Sequence, residues 1–423
     1  MNKFLFILRC YSGFEQSLIK KEWSPSGATT IAKTIEYIQN DKSSNLIIVS
    51  NNFNSKLGFI RNRKLYLKKL NMPIHFIMGK LLFLSDTKLG KYYTFLYNNI
   101  SILLYILKYK PKLVYSDHAN IFITAFISRF LGIKTMVRLM GIKDDMRNSL
   151  IETSFYYKLL RWSYRSPFSM VLATQDGAGS ENWMKSALKK NVPNITILNG
   201  VDQKNKLTNT KLLKNIPNNK FIAIFVGRLE HDKAPDKFIE SFLLAKKKLP
   251  NNLHIIIVGT GSMKEKLDLS LEKANATKDV TFFSNLNTDE IFFLLDKSDV
   301  YISLNRYGNL SNTNIEAMTR GKAMIIPRSN RYKGIDIYTD SLIPRDSVIR
   351  IKDSDSINDV AEALIYLFNN EKAKISLEKN ISNISNQYIK SWDKRIAWEF
   401  KLLNIINSGR QDKLRSFIED VEL

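Results

Sequence analysis

The chain has a single cysteine, Cys10, in 423 residues. That excludes an internal disulfide framework and any thiolate-rich metal site, and it suits a reducing compartment. Histidine is nearly as scarce, at four, and no histidine or carboxylate cluster has metal-ligand spacing, so no metal and no other cofactor is expected. Long apolar runs are missing as well. The best candidate, residues 100–107, is about half the roughly 18 residues a membrane-spanning helix requires. The opening MNKFLFILRC starts like a signal peptide, but Arg9 interrupts the apolar run and no small-residue cleavage site follows. It reads as a buried first strand, and the protein is expected in the cytoplasm. Acidic residues number 40 against 64 Lys+Arg, a net charge of +24. Residues 1–200 hold 29 basic and 11 acidic side chains, and the remainder 35 and 29, so the positive field belongs to the first half. Such a field attracts anionic lipid, an acidic acceptor or nucleic acid, and a solvated Lys-rich surface accounts for it equally. Nucleic acid is not expected as a partner, since zinc spacing, an aromatic RNA-binding signature and a recognition helix are all missing.

What remains is an ordinary apolar share of 44% with 11% aromatic, enough to bury a core, on a length that suits two domains. Short apolar runs alternate with helical patterns throughout: FLFIL (4–8), NLIIVS (45–50), KLVYS (112–116), KTMVRL (134–139) and MVLAT (170–174), then FIAIFVG (221–227), LHIIIVG (253–259), VTFFS (280–284), VYISL (300–304) and AMIIP (323–327). Continuous apolar strands separated by helices predict parallel sheets covered on both faces. The expected fold is α/β, with two doubly wound, Rossmann-like domains facing a central cleft. The polar stretch 211–220 reads as the linker. Residues 1–203 form an acceptor-binding domain, 204–390 a donor-binding domain, and 391–423 a helical segment packing back on the first domain. In open α/β sheets ligands sit at the carboxyl ends of the strands.

The most informative stretch is NLSNTNIEAMTRGKAMIIP (309–327), directly after a strand. Ser311 or Asn312 can cap a short helix and Gly321 can stop it. Its first turn then offers free N–H groups and a positive dipole end, which suit a diphosphate, and Glu316 can accept from ribose hydroxyls. A plain capped crossover helix with a solvated glutamate fits the same residues. In VGRLEHDK (226–233), Arg228 and Lys233 flank a strand-to-helix turn where two cations can clamp a leaving diphosphate, or stand as solvated charge. Gly227, Gly259 and Ser284 end successive strands on the same side. In the first half, Ser26 and Gly27 precede a helix and can admit an acceptor or the donor phosphates close to backbone, or mark a simple loop-to-helix entry. Asp117 and His118 stand at the carboxyl end of KLVYS, where a structural hydrogen-bonding role is the alternative. Basic, aromatic-bearing stretches at 61–70 and 103–112 can rest on anionic lipid, or be a core helix with charged flanks.

With these positions in place, the chain resembles the retaining glycosyltransferases of family four, which share the GT-B fold. The resemblance rests on ILNGVDQ (197–203), VGRLEHDKAPDKFIESF (226–242), VGTGSMKEKL (258–267) and IEAMTRGKAMII (315–326), with SWDKRIAWEF (391–400) similar to the family's final helix. It implies a hexosyltransferase-like enzyme moving a sugar from a UDP- or GDP-linked donor to a glycan or lipid-linked acceptor, in cell-surface polysaccharide, lipopolysaccharide or glycolipid synthesis, with peripheral contact to an anionic membrane. On this resemblance Arg228 and Lys233 hold the diphosphate, assisted by Asn309, Leu310, Ser311, Asn312, Thr313 and Asn314. Glu316 binds ribose, and His118 lies beside the transferred sugar. The family places another glutamate eight residues before this one, touching the sugar ring. Here that place is Gly308, leaving Asn309 or a water to make the contact. Ala234 and Met140 stand where the family often has Gly and His. A non-catalytic sugar-nucleotide binder and a GT-B sugar-nucleotide epimerase are the alternatives.

Overall fold

The computed structural model describes residues 4–25, 27, 29–41, 44–50, 62–79, 87–202, 212, 214, 216–284 and 286–419. Of the positions singled out above, Ser26, Arg61, Gln203 and Lys211 lie outside the described residues. The chain divides into two compact units, the first comprising Met1–Thr174, Ser180–Ile197 and Asp393–Leu423, the second Gln175–Gly179 and Leu198–Trp392. The exchange at 197/198 falls a few residues before the 203/204 boundary expected from the sequence. The short excursion Gln175–Gly179 into the second unit has no counterpart in that reading.

The first unit is built on β1 (Phe4–Arg9), β2 (Ser44–Val49), β3 (Arg63–Leu65), β4 (Ile74–Ile77), β5 (Leu113–Asp117), β6 (Lys134–Leu139), β7 (Met170–Thr174) and β8 (Asn194–Ile197), in the order β3-β4-β2-β1-β5-β6-β7-β8. All neighbours are parallel except the edge pair of β3 with β4. The central strands are buried along their whole length because helices cover both faces. The second unit carries β9 (Phe221–Val226), β10 (Leu253–Val258), β11 (Val280–Phe283), β12 (Val300–Ile302), β13 (Ala323–Pro327) and β14 (Ile349–Ile351), in the order β11-β10-β9-β12-β13-β14 and all parallel. Its core lies on both sides of this sheet. Phe238, Ile239 and Phe242 of helix Pro235–Lys246 pack on one face, and Phe292, Leu295 and Ile315 belong to the cluster on the other.

Helix Trp392–Ser408, which a last short helix Gln411–Glu419 follows, is tied to the first unit by an ionic cluster. Glu399 accepts a hydrogen bond from the Tyr115 hydroxyl (2.7 Å) and from Arg395 (2.8 Å), with Arg138 Nε at 3.7 Å. These charged side chains are buried. Phe400 from the same helix stacks on Phe6 of β1, centroids 5.9 Å apart, and lies 4.4 Å from the ring of Tyr37. Removing an aromatic ring of this size from water is worth about 2 kcal/mol, so apolar packing and the ion cluster both hold the helix.

Candidate functional site

In the second unit the candidate residues gather at the carboxyl ends of β9 and β12. Val226 ends β9, and the chain turns at 227–229 against the turn that follows β10. Leu229 donates to Thr260 O (2.9 Å), and Met263 donates back to Leu229 O (3.0 Å). Gly259, at φ +147°, is required here, because a Cβ on it would overlap the Gly227 carbonyl oxygen. This close approach fixes the turn that presents Arg228. The Arg228 guanidinium is largely exposed and bonded to Asp232 (2.9 Å). Lys233 is more enclosed, with Asp232 Oδ2 at 3.9 Å. Burial, reinforced by Arg228, holds the Lys233 ammonium below the ordinary lysine value, although Asp232 and Asp176 act the other way. Ala234 follows in the left-handed region, φ 49°, which explains why glycine suits that place. Ser284, just beyond β11, is exposed.

Helix Asn312–Thr319 follows β12. Its stop is as the sequence predicts: Gly321, at φ +62°, donates to Met318 O (3.0 Å) and Lys322 donates to Ala317 O (3.1 Å), closing the last turn. Its start differs. Ser311 occupies the N-cap position without capping, because its hydroxyl bonds Asn314 Oδ1 instead (2.5 Å). The N–H groups of the first turn therefore lack the side-chain cap that Ser311 would supply. Glu316, partly enclosed, is pushed up to about 7 by burial and then by Asp202. Asn199 Nδ2 bonds Asn312 Oδ1 (2.6 Å), seating the Asn–Gly turn of 199–200 beside the helix start.

Several expectations are corrected here. Asn309 cannot take the contact left by Gly308. It is fully buried, its Oδ1 accepts from Ser303 (2.8 Å), its Nδ2 donates to Asn305 O (3.1 Å) and Asp336 Oδ2 (2.7 Å), and its N–H donates to Asp336 Oδ1 (2.7 Å). Leu310 is buried too, and its N–H is engaged by Asp176 O (3.1 Å). The side chain of Asn314 is likewise inside, with Nδ2 unpartnered. Two groups that the sequence reading passed over complete this region. The first is buried Asp336, whose carboxylate also accepts from Thr339 (2.7 Å). The second is the loop Gln175–Gly179, which follows β7 in sequence but packs against 308–310. A Cβ on Gly308 would lie 2.5 Å from Asp176 O and 2.6 Å from Gly177 C, so this place admits only glycine. The Gly177–Ala–Gly179 run directly after an apolar strand was the available signal. At the ends of β13 and β14 a cavity of about 1090 Å³ opens, lined among others by Arg306, Arg328, Arg345 and Arg350.

In the first unit, Asp117 and His118 end β5 as predicted, but Asp117 is structural. Its carboxylate accepts from Arg9 N (2.9 Å), the Tyr11 hydroxyl (2.8 Å) and Asn120 Nδ2 (2.7 Å), and it is fully buried, out of reach of an acceptor. The role given to Asp117 in acceptor binding is withdrawn on that ground. His118 Nε2 lies 2.7 Å from the Tyr164 hydroxyl, and burial, then Lys143, lowers it to about 4, so the ring is neutral near pH 7. Gly27, at φ +65°, is exposed with open space where a Cβ would stand. Of the two stretches proposed for a lipid surface, the one around 62–70 turns Leu67 and Leu70 into the core. The other is the end of helix Lys88–Tyr109, which leaves Leu89, Tyr92, Leu96, Ile100, Leu104 and Leu107 exposed. No helix among the described residues is long and apolar enough to cross a membrane, and these residues contain no group of three or more His, Cys, Asp or Glu placed to hold a metal ion.

Residues 210–384 match the glycosyl transferases group 1 family. Two uncharacterized glycosyltransferases of Methanocaldococcus jannaschii are similar: MJ1059 is 27% identical over 52% of this chain and 56% of its own length, and MJ1069 is 22% identical over 84% and 79%. The first alignment thus spans little more than half of that relative. Among solved structures, sucrose-phosphate synthase of Thermosynechococcus elongatus superposes with a TM-score of 0.70 at 12% identity, covering 96% of this chain and all of that one. HepE of Anabaena in complex with UDP-glucose does so with a TM-score of 0.65 at 14% identity, covering 97% and 99%. Residues 210–384 are therefore similar to a glycosyl transferases group 1 domain, and the chain as a whole shares the GT-B fold of these solved structures.

Proposed function

We propose that this protein transfers a glycosyl group, with retention at the anomeric carbon, from a UDP- or GDP-linked donor to a glycan or lipid-linked acceptor in cell-surface polysaccharide or glycolipid synthesis. The observation that carries the reading is the rim of the second unit. There the enclosed ammonium of Lys233 and the projecting guanidinium of Arg228 follow β9, and a helix start without a side-chain cap and Glu316 follow β12. Two cations and first-turn amides suit a diphosphate, and the glutamate suits a ribose diol. HepE, solved with UDP-glucose, shares the fold, which supports this choice of ligand.

The acceptor hydroxyl attacks the anomeric carbon on the face from which the nucleotide leaves. The new C–O bond forms as the bond to the diphosphate breaks, and the acceptor's proton passes to the departing phosphate oxygen. No enzymic nucleophile takes part. Arg228, Lys233 and the helix start stabilise charge growing on the leaving group, a contribution of several kcal/mol at a preorganised site. No metal is invoked, because these groups supply the positive charge. His118, neutral, hydrogen-bonds a hydroxyl of the transferred sugar rather than ionising, and the backbone near Gly27 admits the acceptor. The apolar side of helix Lys88–Tyr109, flanked by Lys88, Lys91 and Lys108 in a strongly basic half, supports peripheral residence on an anionic membrane. Titration calorimetry tests the donor site. Arg228→Ala and Glu316→Ala are expected to lose UDP or GDP affinity at least tenfold while melting at the wild-type temperature, and unchanged affinity removes the assignment.

A further inference from the structure

Resting on the donor site just proposed, the inference concerns which group reads the sugar itself. Gly308 cannot carry a side chain, because its φ of +133° and the main chain of Asp176 and Gly177 exclude one. The remaining carboxylates on this rim differ sharply in how far the protein already engages them. Asp336 accepts three hydrogen bonds, two from Asn309 and one from Thr339, and is buried. Asp232 is paired with Arg228 and near Lys233. Glu316, one turn into its helix, is assigned to ribose. Asp176 is different. Its Oδ1 accepts from Ala178 N (3.0 Å), which folds the loop back on itself, while no other residue's donor reaches Oδ2 among the described residues. The residue as a whole is half-buried, and burial pushes its carboxyl up to about 6.

The loop's own anchoring makes Asp176 a fixed group rather than a swinging one. The Asp176 carbonyl takes the Leu310 N–H (3.1 Å), and the Gly177 carbonyl takes the Asp336 N–H (2.7 Å). The segment 308–310 and the turn before helix Ile337–Leu342 therefore both hold the loop. The Asp176 carboxylate also interacts electrostatically with Lys233, which places it within range of the diphosphate cation. A rigid carboxylate with one oxygen not engaged by another residue, beside the leaving group, is chemically suited to accept hydrogen bonds from vicinal sugar hydroxyls.

We infer that Asp176 is the specificity-determining carboxylate for the donor sugar, standing in from a neighbouring loop at a place where Gly308 can offer nothing. An Asp176→Asn variant keeps Oδ1 for Ala178 and so keeps the loop, but loses the charged acceptor.

The test is calorimetry on the full chain with UDP, GDP, UDP-glucose, UDP-N-acetylglucosamine and GDP-mannose, beside thermal melts. The expected result is that Asp176→Asn binds UDP or GDP within twofold of wild type, melts at the same temperature, and loses at least tenfold in affinity for whichever sugar nucleotide binds wild type best. Equal sugar-nucleotide affinity in the two proteins overturns the inference while leaving the donor site standing. A parallel loss of free-nucleotide affinity and melting temperature assigns Asp176 a purely structural role and overturns it too. Failure of wild type to bind any of the five ligands overturns the donor site itself, and this inference with it.

Discussion

Glu316 gives the residue scale its sharpest consequence. Burial raises its carboxyl to about 7, above the ordinary 4.5, so the acid is half ionised near neutrality. The fold disfavours the ionised form, so the contribution of Glu316 to stability falls as pH rises from the unfolded value through the folded one. The ribose contact needs the ionised form. Nucleotide affinity is therefore expected to climb between pH 6 and pH 8 in wild type by more than in Glu316→Gln, in which the glutamate titration is missing. Identical pH profiles for the two proteins would show that Glu316 does not touch the ligand. His118 runs the other way: its value is lowered to about 4, so stability is lost as pH falls from the ordinary histidine range of about 6.5 towards 4. Acid melting should be shallower in His118→Gln over that window, and an unchanged profile contradicts the buried neutral ring.

At the scale of elements, the loop Gln175–Gly179 and the segment 308–310 form one unit of backbone against backbone. Gly308→Glu, which inserts the carboxylate that the family resemblance expects, should not gain sugar affinity. It should destabilise the protein by about 2 kcal/mol or more, because the new Cβ meets main chain on a positive φ; a variant melting like wild type would refute the packing. Legibility in the sequence also divides by element. The buried parallel strands were readable because VYISL and AMIIP are continuous apolar runs, and the helix stop at Gly321 because a left-handed residue leaves one clear signature. β3, β4, β8 and β14 are short and, apart from β4, carry few fully buried residues, so their runs did not stand out. The places of Arg228 and Lys233 after β9, and of Glu316 in the helix that follows β12, were legible from the same strand pattern. What stayed hidden was long-range pairing. Nothing local in YSDHAN says that Arg9 and Tyr11 engage Asp117, and nothing in NLSN says that Asp336 holds Asn309.

On the scale of the whole molecule, two features set behaviour. Helix Trp392–Ser408 depends on Glu399, whose carboxyl burial would raise but which Arg395 and Arg138 bring below the ordinary value. Glu399→Gln leaves two buried guanidinium groups without their carboxylate and should cost about 3 kcal/mol of stability in a denaturant titration; a change under about 0.5 kcal/mol would mean the cluster is not what holds the helix. The second feature is the basic first half with its exposed apolar helix side. Sedimentation with vesicles containing anionic phospholipid should capture the protein at low salt and release it as salt rises, and Leu96→Asp with Ile100→Asp should weaken capture at every salt concentration. Absence of capture at low salt would remove the membrane from the account.

The central claim is that main-chain amides at a helix start, together with Arg228 and Lys233, receive a pyrophosphate. A crystal structure of the protein soaked with UDP or GDP tests it most directly. The account predicts the β-phosphate against Lys233 and the N–H groups that open helix Asn312–Thr319, with the ribose on Glu316. Nucleotide bound elsewhere, or the rim left empty at saturating ligand, would contradict it.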